Sequence, residues 1–434
     1  MWATDGATVA CADAICNRLA RFLDTRGPTP VNVVVATLGS RGDLHPFLAI
    51  ARALHEQGHN VHVLSQESHR TEVETQGLRF TAIAAQRDYE RTLAHPDLWH
   101  PIRGFGVLWR HLSVPAIGPT LDALAALRRM NSSPWTVLAS PMVVGARLAA
   151  ELGQVRLITG HTAPQGLRSH QHPMYVGGKL IPSWFGEVGR AALWRLIDRY
   201  KLDPLARSTL GKWRMELGLP ELEAGSFARW IHSPDLVLGL FDERLGRMPT
   251  DWPVDVDLTG FPLYEAHTVN TVPKALVPPG PVDLVLYGGP PGHPSHPKIE
   301  QLALQAMERG LHTLLIRAAP QTGTPTLLTV RPTVDMPSAL DQARLLVHHG
   351  GIGTAAQALA ANCPQLIIPA AYDQHDNSYR LSGGDPPTRI DIDTLCAKLA
   401  APHQSRSAIS GQTYSRPGAP NSAVLRAVAL ITKE

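Results

Sequence analysis

Two rhythms alternate along the chain: short β-branched apolar runs, and stretches in which apolar residues recur every three or four positions. Residues 31–37 (VNVVVAT) are almost continuously apolar, as in a strand buried on both faces of a parallel sheet. Phe47, Leu48, Ile50, Ala51 and Leu54 follow at helical spacing, and 60–64 is strand-like again. Further strands are expected at 136–139, 155–159 and 236–241, the last of the first half. The alternation restarts with a strand at 282–287, a helix at 298–309 and strands at 313–317 and 326–330. A strand at 345–347, a small-residue helix from 354 to about 361, a strand at 365–369 and a loop at 370–377 come next. Short helices at 393–399 and 421–431 finish the pattern. Strands alternating with helices in both halves predict an α/β protein with parallel sheets, whose ligands sit outside the strand carboxyl ends.

The residues after the 345–347 strand carry the most chemistry. His348-His349-Gly350-Gly351-Ile352-Gly353-Thr354 opens a helix. Glycines let backbone N–H groups crowd round an oxyanion, and a helix start adds unpaired donors and a positive dipole end. His348 or His349 can supply a further donor, and Thr354 a hydroxyl. Asp373 and Gln374, past the next strand, can grip neighbouring sugar hydroxyls. Phosphate on one loop and hydroxyls on the next predict a sugar nucleotide as ligand. The opening turn, 38–46 (LGSRGDLHP), repeats the strand–turn–helix logic without a GxGxxG pattern.

Composition narrows the class. A chain of 434 residues exceeds one hydrophobic core, so two domains are expected. The net charge of +3 suits anionic small ligands and argues against nucleic acid as a partner. Cys11, Cys16, Cys363 and Cys396 form no CxxC pair and read as reduced thiols of a cytoplasmic protein. No metal-spaced cluster of carboxylates is present, so metal-independent chemistry with no cofactor is expected. Residues 9–23 have a helical pattern ending at the Gly27–Pro30 breaker. The 163–184 loop is long enough to serve as a lid.

HHGGxGT followed by a strand and PxxxDQxxN resembles the donor-binding motif of the GT-B glycosyltransferases of the UDP-glycosyltransferase superfamily. FGVLWR (105–110), IDRYKLD (197–203), WIHSP (230–234), DWP (251–253) and LTGFPLYE (258–265) are more narrowly similar to the bacterial rhamnosyltransferases of rhamnolipid biosynthesis. The resemblance spans roughly 31–381. It implies two facing Rossmann-like domains across a cleft: an extension at 1–30, an acceptor domain at 31–261, a linker at 262–281, a sugar-nucleotide domain at 282–405 and a tail helix at 406–434.

By resemblance the reaction is inverting glycosyl transfer. Asp43 is the expected general base, its alternative role being a helix cap, and His45 is the reserve base. Ser40, Arg41 and, in the lid, Arg168 are expected on the acceptor side. His348, Gly350, Gly351, Gly353, Thr354, Asp373, Gln374, Asn377, Val334 and Gly289 are expected on the donor side, with His349 packed. Pro290 replaces the hydroxyl residue that the family usually carries there. Implied partners are deoxythymidine-diphosphate L-rhamnose and a small amphipathic lipid, consistent with peripheral contact at the inner membrane face. UDP-glucose transfer to a sterol, polyketide or flavonoid, and a catalytically weak sugar-nucleotide-binding protein, are the alternative readings.

Overall fold

The computed structural model describes residues 29–172, 175–245, 249–264, 281–317, 327–384, 389–401 and 422–433. The expected 9–23 helix, Cys11, Cys16 and most of the 262–281 linker lie outside these residues. Two parallel sheets form the frame. The first is seven-stranded, in the order β3-β2-β1-β4-β5-β8-β9. Its strands are β1 (Asn32–Ala36), β2 (Asn60–Gln66), β3 (Arg79–Ala84), β4 (Trp135–Ala139), β5 (Arg156–His161), β8 (Leu236–Gly239) and β9 (Asp257–Leu258). A small antiparallel hairpin, β6 (Tyr175–Val176) and β7 (Lys179–Leu180), stands apart. The second sheet is five-stranded, in the order β12-β11-β10-β13-β14. It comprises β10 (Val282–Tyr287), β11 (Thr313–Ile316), β12 (Leu328–Arg331), β13 (Ala343–His348) and β14 (Gln365–Ile367).

Each sheet reverses its winding beside its first strand, at β1/β4 and β10/β13, which opens a crevice at the strand carboxyl ends. The β-branched run of β1 is fully buried because helices cover both faces. On one side, α1 (Arg41–Glu56) packs Leu44, Phe47, Leu48, Ala51 and Leu54 onto Val33 and Val35. On the other, α2 (Ile117–Met130) and α3 (Val144–Glu151) cover Val34, Ala36 and Val137. Further helices are α4 (Gly186–Ile197), α5 (Asp203–Glu216), α6 (His296–Glu308), α7 (Met336–Gln342), α8 (Ile352–Ala360), α9 (Gln374–Leu381), α10 (Ile392–Ala400) and α11 (Ser422–Thr432).

Four differences from the sequence expectations have local causes. β9 extends the first sheet one strand beyond 236–241, as a two-residue segment too short to register as a pattern. α7 is capped by Asp335, which accepts from Ser338 N, and carries Pro337 in its first turn, where a missing N–H costs nothing. β3 has no counterpart among the expected strands; it begins with the polar Arg79 and only its last two residues are buried. α9 begins at Gln374, inside the stretch expected to be loop.

The last helix lies on the first domain. Val424, Ala427, Val428 and Ile431 of α11 join the cluster formed by β1, β2 and α1. Arg156 Nη1 donates to the carbonyls of Ile431 (3.3 Å) and Lys433 (3.0 Å). Ile431→Ala should therefore destabilise the first domain by about 2–4 kcal/mol in denaturant unfolding. A loss below about 0.5 kcal/mol would show that α11 does not complete this core.

Candidate functional site

The site lies where the carboxyl ends of both sheets meet. β1 leads through Leu38 and Gly39 into the start of α1. Gly39 takes φ +128°, and a Cβ there would lie 2.5 Å from Asp43 Oδ2, so the turn requires glycine. Ser40 is the N-cap and Asp43 sits three residues on. Asp43 Oδ2 accepts from Ser40 N (2.8 Å) and Ser40 Oγ (2.9 Å). Asp43 thus serves the helix start from inside its first turn and is not the N-cap residue. These bonds fall on Oδ2, which leaves Oδ1 directed elsewhere. Burial raises the Asp43 pKa, and the Ser40 bonds oppose the rise. Pro46 lies inside α1 and cannot donate to the Gly42 carbonyl, so that oxygen has no α-helical donor at the seam.

Opposite, β13 runs into the glycine turn and α8. Gly350 has φ +94°, and a Cβ there would meet Ile367 Cγ2 at 2.5 Å. Gly351 is the N-cap of α8 and supplies no side chain, so the first N–H groups of the helix face the crevice uncapped. Thr354 stands half-buried in that first turn. The two helix starts almost touch: a Cβ on Gly353 would lie 3.6 Å from Gly42 Cα.

The two adjacent histidines behave differently. His348 is fully buried; Nε2 lies 3.0 Å from Gln365 Oε1, and Nδ1 accepts from Gly350 N at 3.2 Å. Both ring nitrogens are committed to the fold, so the side chain expected to reach a phosphate points into the core. His349 is the imidazole at the turn. Its ring packs between Gly289 and Gly351: Cβ atoms built there would lie 3.1 Å and 2.5 Å from it. Nδ1 of His349 is buried without a hydrogen-bond partner among the described residues. Burial, reinforced by His348, His293 and His296 nearby, holds His349 neutral, well below the usual imidazole range. Gly289 itself takes φ +91° ahead of Pro290.

The Asp-Gln pair also divides. Gln374 Oε1 accepts from Ala370 N (2.8 Å) and Ala371 N (3.1 Å), so Gln374 shapes the loop from within. Asn377 Nδ2 donates to Gly350 O (3.0 Å) and Asp373 Oδ2 (2.8 Å), pinning the glycine turn to Asp373. Asp373 alone of this group keeps a carboxylate at the crevice. Burial raises it to about 7, the Asn377 bond opposes the rise, and Asp43 across the seam adds to it. Val334 lies half-buried ahead of α7, against its apolar cluster.

Three other expected residues are held elsewhere. His45 Nε2 lies 2.7 Å from Glu72 Oε1, with its ring against Tyr264 at 4.7 Å, so the reserve base is drawn away from the glycine turn. Arg41 Nε donates to the same carboxylate at 3.1 Å. Arg168, at φ +46°, pairs with Asp198 and lies over Trp194 at 4.7 Å, which satisfies it without an acceptor carboxylate. Residues with no motif to announce them close the seam. Trp99 sets its ring edge-on to His293 at 4.5 Å, and the Tyr372 hydroxyl donates to Leu98 O. Arg380 Nη1 donates to Leu245 O at 2.9 Å. Ile352 and Ala356 of α8 share an apolar cluster with Leu167, Phe241 and Phe261 of the first domain.

Residues 33–117 match the glycosyltransferase family 28 N-terminal domain. The O-mycaminosyltylonolide 6-deoxyallosyltransferase of Streptomyces fradiae is 26% identical over 357 residues, covering 79% of this chain and 81% of that protein. The crystal structure of the kitacinnamycin glycosyltransferase superposes with a TM-score of 0.60 at 23% identity, over 86% of this chain and 90% of that one. Glycosyltransferase SsfS6 of Streptomyces sp. SF2575, solved with thymidine diphosphate, superposes with a TM-score of 0.55 at 18% identity, over 92% and 95%. Paired parallel sheets, a glycine-lined helix start at their crevice and these likenesses agree: the chain has the GT-B fold and is a nucleotide-sugar-dependent glycosyltransferase.

Proposed function

We propose that the enzyme transfers a deoxyhexose, L-rhamnose, with inversion from a deoxythymidine-diphosphate donor to a hydroxyl of a lipid-like amphipathic acceptor. The carrying observation is the placement of Asp43 at one helix start directly across from the uncapped start of α8. The acceptor oxygen attacks the anomeric carbon as the bond to the leaving phosphate breaks. Its proton passes to the Asp43 carboxylate, and the nucleoside diphosphate departs with the negative charge. Backbone N–H groups of residues 351–354, the Thr354 hydroxyl and the neutral His349 ring meet that charge without a divalent ion. Asp373 accepts from a sugar hydroxyl. The deoxyallosyl donor named for the Streptomyces relative and the thymidine diphosphate bound to SsfS6 support the choice of nucleotide and deoxysugar. UDP-glucose with sterol and polyketide acceptors forms the comparison arm of the substrate screen. Turnover with that pair alone would replace this donor and acceptor while keeping the geometry.

Asp43→Asn should lower kcat by about 100-fold or more, with donor affinity by calorimetry within about threefold of the parent, and EDTA should leave turnover unchanged. Unaltered kcat would remove Asp43 from the reaction. His349→Ala should cost about 100-fold in kcat/KM for the donor in an otherwise stable protein. His348→Ala should chiefly lower the unfolding midpoint, because it orphans Gln365 and the Gly350 N–H. The opposite assignment of these two phenotypes would reverse the roles of the histidines.

Asp373 also predicts a pH dependence. The unfolded carboxyl releases its proton near pH 4 and the folded one only near 7, so folding binds a proton across that window. The contribution of Asp373 to the stability of the unliganded protein should fall as pH rises from about 4 to 7 and then level off, opposite in sign to the contribution of the buried neutral histidines. In urea titrations the stability difference between the parent and Asp373→Asn should therefore change across this window, and a constant difference would place the Asp373 pKa near the ordinary carboxylate value.

A further inference from the structure

The outer face of α4 carries an apolar stripe left open by the described residues. Trp184 is 80% exposed, Val188 85%, Leu196 53% and Tyr200 64%. Val188, Ala192 and Leu196, spaced by four along α4, share one exposed face; Trp184 stands in the short turn before Gly186 and Tyr200 in the widened turn after Ile197, at the two ends of the helix. Phe185, its ring 5.6 Å from that of Trp184, widens the patch. A soluble surface seldom leaves so many large apolar side chains in one row without an occupant.

The helix cannot turn this stripe inward, because its other face is committed. Arg190 Nε donates to His170 O at 2.6 Å, and Trp194 lies under Arg168. That face holds the 163–172 segment, which Asp251 ties down through Ser169 Oγ at 2.7 Å. Flanking the stripe, Lys179, Arg195, Arg199 and Lys201 are exposed. Against them the same stretch has Glu187 and Asp198, and Asp198 is paired with Arg168.

We infer that this face docks on an anionic lipid surface. An interfacial helix sinks apolar side chains to the acyl boundary, with aromatic rings at headgroup level and cations against lipid phosphates. Trp184, Val188 and Leu196 between Arg195, Arg199 and Lys201 supply each part. A second copy fits less well, since a twofold contact across the stripe would bring these cations against themselves. The surface is independent of the sugar donor and of the acceptor's identity.

The test is flotation of the purified chain, without sugar nucleotide or acceptor, on unilamellar vesicles. One set contains about 30% phosphatidylglycerol in phosphatidylcholine, so that roughly one lipid in three is anionic, and the other phosphatidylcholine alone. The parent should partition at least about tenfold more strongly onto anionic vesicles, less so at high salt. Val188→Asp/Leu196→Asp and Arg195→Glu/Arg199→Glu should each lose about tenfold or more. Both doubles change solvent-facing positions, and circular dichroism checks that they fold. Equal partitioning of parent and the Val188→Asp/Leu196→Asp double, or none onto either vesicle, would overturn the proposal. So would a concentration-dependent dimer in sedimentation velocity that this double abolishes, which would make the stripe a contact between copies.

Discussion

The arrangement depends on two helices meeting start to start. α1 and α8 bring Gly42 and Gly353 into near contact, so two positive dipole ends confront each other across the crevice. That placement is unfavourable unless negative charge lies beside it. The protein supplies some from both sides, as Asp43 and Asp373; burial raises both carboxyls, and Asp43 adds to the rise at Asp373. In the proposed reaction a nucleoside diphosphate brings more, at the uncapped N–H groups of α8. A Cβ on Gly353 would sit 3.6 Å from Gly42 Cα, an ordinary van der Waals contact, so the two starts lie at contact distance.

Around this seam the chain commits its polar side chains to geometry. Asn377 holds Gly350 and Asp373 together, Gln374 folds the 370–373 loop over itself, and His348 joins the glycine turn to β14. Each satisfies buried backbone or side-chain groups that would otherwise be costly to leave unpaired. The result is a rigid nest with few groups free to act: Asp43, His349, Thr354 and Asp373. Glu72 does comparable work outside the nest by binding Arg41 and His45 together, and its hydrogen bond from His45 keeps its carboxyl below the usual range although burial opposes this.

Much of the fold is legible in the sequence because buried parallel strands are written as continuous apolar runs; β1 and β10 stand where those runs do. β9 and α7 leave little trace, because a two-residue strand has no period and a seven-residue helix has too few turns to show one. The glycine turn is legible for the same reason it works, since few sequences place so many glycines at a helix start. The motif does not say which histidine is committed to the core, although strand alternation holds the signal. His348 follows Leu346 by two residues, and so shares its side of β13, beneath the cluster that includes α7. The partners of Arg168 and His45 are beyond sequence reasoning, because Asp198 and Glu72 lie thirty and twenty-seven residues away and only the fold brings them near.

α11 belongs to the end of the chain by sequence and to its beginning by packing. During synthesis, the apolar groove beside α1 and β2 therefore stays uncovered while the whole second sheet is being made. Until residues 422–433 emerge, the newborn first domain is an incomplete body with an oily seam facing solvent, open to holding chaperones and to sticking to its neighbours.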